Sequence, residues 1–201
     1  SPSGNQGNSS RSALLNEFRE SKEVQSRMTI RGMKGHVMSF AQDQHASRFI
    51  QQKLEHATTE EKEIIFNEIK NDLIMLMNDV FGNYVVQKVF EHGGNAERKH
   101  LVSALKGNVL KLSLQMYGCR VVQKAIETVS DEVRSVLIDE LRGHVEECVR
   151  DQNGNHVIQK CIEHVPPSKV DFIIGSFYGK VLTLAKHPYG CRVVQRVLEF
   201  C

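Results

Sequence analysis

The chain is predicted to be all-α, a solenoid of about five 36-residue repeats with three helices each, and three observations predict it. First, a five-residue stretch recurs: Ser47-Arg48-Phe49-Ile50-Gln51, Asn83-Tyr84-Val85-Val86-Gln87, Cys119-Arg120-Val121-Val122-Gln123, Asn155-His156-Val157-Ile158-Gln159 and Cys191-Arg192-Val193-Val194-Gln195. Successive copies stand 36 residues apart, a period that marks stacked helical units. Second, the layout of each copy suits a helix. The first and fifth residues lie one turn apart on one face, the second sits about 100° round, and the two apolar residues point to the opposite side. Third, apolar and glycine positions elsewhere keep the same phase.

The elements follow in order. Residues 1–10, beginning Ser1-Pro2-Ser3-Gly4, form a polar stretch with no apolar region, expected to be a disordered tail and not a signal peptide. Residues 11–34 stand outside the repeat register. Leu14, Leu15 and Phe18 give them one apolar stripe, expected of a helical cap on the first repeat. The repeats are expected at 35–70, 71–106, 107–142, 143–178 and 179–201, the last incomplete. Gly35, Gly107, Gly143 and Gly179, with Asn71 in the remaining slot, suit turns where φ > 0 is needed. Val37, Leu73, Val109, Val145 and Val181 follow two residues later, and Phe40, Leu76, Leu112, Cys148 and Leu184 three beyond them. This i, i+3 pair marks a short first helix. A turn carrying Ala46, Gly82, Gly118, Gly154 or Gly190 leads into the second helix, which holds the recurring stretch. Four residues past each Gln stands Glu55, Glu91, Glu127, Glu163 or Glu199. Thr58 and Glu61 form a capping box for a third helix in repeat one. In repeat four, Pro166-Pro167 breaks the chain and Ser168 is expected to cap a helix over 170–177. The fifth unit is expected to be incomplete at Cys201, without a closing helix, with Leu198 and Phe200 expected to lack a partner.

Composition narrows the function. Of 201 residues, 40% are apolar, and the net charge of +2 does not by itself point to nucleic acid. Five cysteines with no Cys-x-x-Cys spacing indicate reduced thiols and an intracellular setting. No apolar run reaches membrane-spanning length. The nine histidines show no metal spacing, so neither metal nor cofactor is expected. Cys119 beside Arg120 could suggest an activated thiol, but the same slot is Ser or Asn elsewhere, which favours hydrogen bonding over catalysis.

Repeat packing explains the apolar positions and the glycines. It does not explain a Gln in every unit, or Ser, Asn or Cys one turn before it, since Ser and Asn are mediocre helix formers. Arg48, Tyr84, Arg120, His156 and Arg192 add a planar group at each step. A ligand with a flat ring and a polar edge per step fits, and single-stranded nucleic acid is that ligand. The rival is a protein-binding scaffold of armadillo or HEAT type, which would not need a Gln and a planar residue in phase.

The stretches Asp43–Gln51, Asp79–Gln87 and His187–Gln195 resemble the RNA-binding repeats of the Pumilio (PUF) family, and the resemblance runs from residue 11 to 201. It implies a right-handed α-solenoid forming a crescent, with RNA on its concave face. It also implies repression and decay of messages through 3′ untranslated regions in the cytoplasm. Single-stranded RNA would be the ligand, and Nanos-type co-repressors and a deadenylase complex the protein partners. The chain resembles the cap and first five of the family's eight repeats. Carried over residue by residue, Ser47 with Gln51, Cys119 with Gln123 and Cys191 with Gln195 resemble adenine readers. Asn83 with Gln87 and Asn155 with Gln159 resemble uracil readers. Arg48, Tyr84, Arg120, His156 and Arg192 would stack on the bases. The family's antiparallel RNA implies 5′-AUAUA-3′, the 3′ part of a longer UGU-containing site. Lys88, Lys124, Lys160 and Arg196 are candidate phosphate contacts. Ala46 for Gly and Gln52 for a basic residue depart from the pattern in repeat one.

Overall fold

The computed structural model of the protein describes the backbone of residues 6–201 and the side chains of residues 13–201. Every regular element among them is helical. Of the tail expected over 1–10, residues 1–5 lie outside the described part, and the first helix begins at Gln6. The chain divides into two compact units, one ending at Leu101 and one starting at Val102.

The first unit opens with α1 (Gln6–Glu20) and α2 (Lys22–Arg27), then a 3-10 turn at Arg31–Met33. Repeat one follows as α3 (Val37–Ala41), α4 (Gln44–His56) and α5 (Thr59–Ile69), and repeat two as α6 (Leu73–Met77), α7 (Gly82–His92) and α8 (Asn95–Leu105). The stripe on α1 behaves as its sequence predicts. Phe18 is buried, with its ring 5.2 Å from that of Phe40 and 5.4 Å from that of Phe49, so α1 covers the outer side of α3 and α4. Burying one such side chain contributes about 2 kcal/mol. Arg19 on the same helix makes an ion pair with Asp43, the N-cap residue of α4. The capping box of α5 is present: Thr58 Oγ1 accepts from Glu61 N–H at 3.3 Å, and Glu61 Oε2 from Thr58 N–H at 2.9 Å.

The second unit repeats the plan. Repeat three has α9 (Val109–Ser113), α10 (Gly118–Thr128) and α11 (Asp131–Asp139), and repeat four α12 (Val145–Arg150), α13 (Gly154–His164) and α14 (Asp171–Gly175). Repeat five has α15 (Val181–Ala185) and α16 (Gly190–Phe200). Ser168 does not cap the closing helix of repeat four. It lies inside a 3-10 turn, Pro167–Lys169, and the helix starts only at Asp171 with no side-chain cap. Proline's fixed φ and missing N–H start the tight turn at Pro167 itself, so the serine arrives too early.

The two glycine series do different work. Gly35, Gly107, Gly143 and Gly179 have φ between 73° and 85°, the left-handed region. Asn71 does not share it, because no residue other than glycine has positive φ among the described residues. The turn before α6 nevertheless keeps the bond its counterparts make, with Asp72 N–H donating to Ile69 O as His36 N–H does to Met33 O. In the second series the constraint is space. A Cβ on Gly154 would lie 2.8 Å from Cys148 Cα, and one on Gly190 2.7 Å from Leu184 O. In repeats four and five the first and second helices therefore approach backbone to backbone. Repeats one and three add a shared device. Glu68 accepts from the N–H groups of Gly35 (2.5 Å) and Val37 (3.0 Å), and Glu140 from those of Gly107 (2.6 Å) and Val109 (3.0 Å). The closing helix thus satisfies the start of the opening one.

Candidate nucleic-acid interface

In repeats one, two, four and five the second helix is started by a residue in the turn four positions before the small polar slot. Asp43 accepts from His45 and Ala46 N–H, at 2.9 and 2.8 Å. Asp79 accepts from Phe81 and Gly82 N–H, at 2.9 and 2.7 Å. Asp151 does the same for Asn153 and Gly154, both at 2.8 Å. In repeat five His187 Nδ1 takes over, accepting from Tyr189 at 3.1 Å and Gly190 at 3.2 Å. Repeat three breaks the series, since Gln115 Oε1 is buried with no partner. For Asp43, burial would raise the pKa. The Ala46 N–H, the Arg19 guanidinium and the His45 N–H outweigh it and hold the carboxyl below its ordinary value. These turn residues stand as a 36-residue series in the sequence, Asp43, Asp79, Gln115, Asp151 and His187, but the capping role depends on a turn geometry that the spacing does not encode.

The small slot is buried where the sequence reading expected it exposed. Asn83 and Asn155 are fully buried, Ser47 and Cys119 nearly so, and Cys191 half-buried. Asn83 Nδ2 donates to Asp79 O at 2.9 Å and Val80 O at 3.1 Å. With both amide hydrogens bound to carbonyls, its Oδ1 must face the other way, where it accepts from Gln87 Nε2 at 3.0 Å. Asn155 repeats this: Nδ2 donates to Asp151 O (2.8 Å) and Gln152 O (3.0 Å), and Oδ1 accepts from Gln159 Nε2 at 3.0 Å. The chain of bonds fixes the Gln amide and uses one of its two N–H groups. Ser and Cys do not bridge two turn carbonyls as Asn does, although Cys119 still shares a side-chain hydrogen bond with Gln123. Ser47 Oγ donates to Gln44 O at 3.4 Å, Cys119 Sγ to Met116 O at 3.4 Å and Cys191 Sγ to Pro188 O at 3.5 Å. Repeats two and four thus carry an asparagine-braced Gln, and repeats one, three and five a shorter neighbour beside it.

Around this buried row the rest of the pattern faces outward. Arg48, Tyr84, Arg120, His156 and Arg192 are all exposed, while Gln51, Gln87, Gln123 and Gln159 are half-buried and Gln195 is exposed. The Arg120 guanidinium carbon stands 5.8 Å from the centroid of the Tyr117 ring. Partial burial, and then the charge of Arg192, lower the pKa of His156 and favour a neutral, flat imidazole. Burial raises the pKa of Cys119 and outweighs the nearby Arg120. The thiol is held in its protonated form, contrary to the activation its neighbour suggested. Cys148 and Cys161, buried deeper, are pushed up to about 12 by burial.

The four basic residues after the Gln are engaged by the protein itself. Lys124 Nζ lies 3.2 Å from Glu127, and Lys88, Lys160 and Arg196 also pair with glutamates. Among the described residues, no helix is long and apolar enough to cross a membrane.

A helical solenoid with a buried small polar residue, a half-buried Gln and an exposed plane in each unit defines a class of nucleic-acid-binding repeat. The Pumilio-family RNA binding repeat matches at residues 36–70, 73–106, 108–142, 144–175 and 180–201, and the chain belongs to the Pumilio (PUF) family. Pumilio homolog 1 of Xenopus laevis is 52% identical over 73 residues, which is 36% of this chain and 6% of that protein. The maternal protein pumilio of Drosophila melanogaster is 52% identical over 71 residues, 35% of this chain and 4% of that protein. The Puf3 RNA binding domain bound to the Cox17 RNA 3′ UTR recognition sequence site A superposes with a TM-score of 0.89 at 50% identity, covering 94% of this chain and 53% of that one. PUF-8 in complex with PBE-RNA gives 0.85 at 41% identity, covering 94% and 56%. The chain therefore spans about half of these solved domains and a small part of the curated relatives.

Proposed function

We propose that this chain binds single-stranded RNA, one base per repeat, with 5′-AUAUA-3′ as the sequence it fits. One observation carries the reading: in all five repeats an exposed planar side chain stands three residues before a Gln that reaches the surface. A base stacks on the plane and meets the Gln with its pairing edge. Uracil's edge is an N–H donor flanked by carbonyl acceptors, which suits the carbonyl oxygen and second N–H of the braced Gln87 and Gln159. In repeats one, three and five, Ser47, Cys119 and Cys191 leave more room at the edge, which suits adenine with Gln51, Gln123 and Gln195. The similarity to a Puf3 domain bound to a 3′ UTR recognition sequence supports a message 3′ UTR as the setting, with repression in the cytoplasm as the outcome. Nanos-type proteins and a deadenylase complex are the partners that outcome calls for.

Stacking and edge contacts contribute about 1–3 kcal/mol per base, and ordering the strand takes back part of the sum. Titration of labelled 5′-AUAUA-3′ should give a Kd on the order of micromolar or weaker, with intact RNA recovered. Equal binding of 5′-CCCCC-3′ would overturn the base-specific reading, and cleavage of the RNA would overturn binding as the whole activity.

A further inference from the structure

A second periodic series runs beside the readers. Lys88 Nζ lies 2.8 Å from Glu55 and 3.3 Å from Glu91. Lys160 Nζ lies 2.7 Å from Glu127 and 3.4 Å from Glu163. Arg196 continues the line, with Nε 2.9 Å from Glu163 and Nη1 2.6 Å from Glu199. Each of these cations joins the acid of its own helix to the acid of the preceding repeat. Repeat one has Gln52 instead, and it has no acid behind it to bridge: the residue 36 positions before Glu55 is Arg19, already bound to Asp43.

The placement is informative. Lys88, Lys160 and Arg196 stand four residues after Tyr84, His156 and Arg192, so each lies one turn along the same helix face from a plane. Partly exposed ion pairs contribute little to stability. A bridge between neighbouring helices at this level does join the two helix faces that carry successive planes. A cation held by two carboxylates is also poorly placed to neutralise a phosphate.

We propose that Glu127, Lys160 and Glu163 are positioning residues, a rail that sets the step between the planes of repeats three, four and five. The proposal rests on the one-base-per-repeat reading. It would extend to the Glu55–Lys88–Glu91 rung.

The test compares Glu127→Gln, Lys160→Gln and the double variant in this chain, each checked by thermal unfolding. If the rail positions the planes, each single change weakens binding of 5′-AUAUA-3′ by about tenfold, because misplacement of a recognition group is costly. The double variant should lose no more than either single one, and the salt dependence should not change. The loss should also vanish on RNA that is abasic at its second position, where no base remains to be stepped to. Lys160 as a phosphate contact predicts the opposite sign for its partner. Glu127→Gln would then tighten binding, and Lys160→Gln would weaken it and lower the log–log salt slope by about one; that result would overturn the proposal. An equal loss on the abasic RNA would reduce the rail to a purely structural role and overturn it too. Should the neutral variants fail to fold, Glu127→Asp keeps the charge and shortens the reach, and unchanged affinity there would count against it. Wild-type protein that binds no RNA would overturn the underlying reading together with the rail; wild-type binding with unaffected variants would overturn the rail alone.

Discussion

Replacing Asn83 by Ser and Tyr84 by Arg copies into repeat two the trio found at Ser47, Arg48 and Gln51. From the sequence alone this exchange looks free of structural cost. Asn83 is fully buried, however, and makes three hydrogen bonds, at 2.9, 3.1 and 3.0 Å. A serine there can keep one bond, to Val80 O, as Ser47 does to Gln44 O. The contacts to Asp79 O and to Gln87 are lost. At about 1 kcal/mol per hydrogen bond, the double variant should lose about 2 kcal/mol of stability. Tyr84 is 40% exposed, so its replacement adds little. The released Gln87 amide and the space beside it should move the preference at the fourth base from uracil to adenine, by about 1–3 kcal/mol. Urea unfolding measures the first number. Competition between 5′-AUAUA-3′ and 5′-AUAAA-3′, read by polarisation, measures the second. Unchanged stability would refute the bracing role of Asn83. A folded variant that still prefers uracil would refute the one-repeat, one-base reading.

Three further outcomes are expected. Gly154→Ala places a Cβ 2.8 Å from Cys148 Cα and O and should cost about 1–3 kcal/mol, whereas Ala46→Gly in repeat one should cost only about 0.5–1 kcal/mol of helix propensity; equal losses in denaturant melts would contradict the close-approach argument. His156 is held neutral by partial burial and then by Arg192. Its folded pKa thus lies below the unfolded one, and its contribution to stability falls as pH drops through the unfolded imidazole value. Arg192→Ala should raise the His156 pKa in an NMR titration, and no change would remove Arg192 as a cause. Cys148 and Cys161 are buried with thiols pushed up to about 12, so a thiol reagent at mild alkaline pH should label exposed Cys201 first and those two only on unfolding; fast labelling of Cys148 in folded protein would contradict the packing.

The fold was legible because periodicity, glycine and apolar phase all pointed the same way. What was not legible came from partners the sequence does not name. Gly35 and Gly154 look alike in a row of letters, yet one is held by its φ and the other by a neighbouring backbone. Asn71 stands in a glycine phase without adopting its conformation. Of the candidate site, the planar residues are exposed and the Gln residues are half-buried, apart from exposed Gln195. The slot before the Gln was read as a ligand-facing donor. In repeats two and four it is a buried brace, because the turn residue four positions earlier presents its carbonyl to the Asn amide. The Lys and Glu series were visible one by one, but their pairing across repeats follows from helix stacking, which spacing along the chain does not encode.

The central claim is that the planes of successive repeats meet successive bases, with the RNA running opposite to the protein. Photo-crosslinking tests it most directly, with 4-thiouridine placed at either the second or the fourth position of 5′-AUAUA-3′ and the attachment sites mapped by mass spectrometry. The account predicts attachment near His156 from the second position and near Tyr84 from the fourth. The reverse assignment, or attachment of both probes to the same repeat, would contradict it.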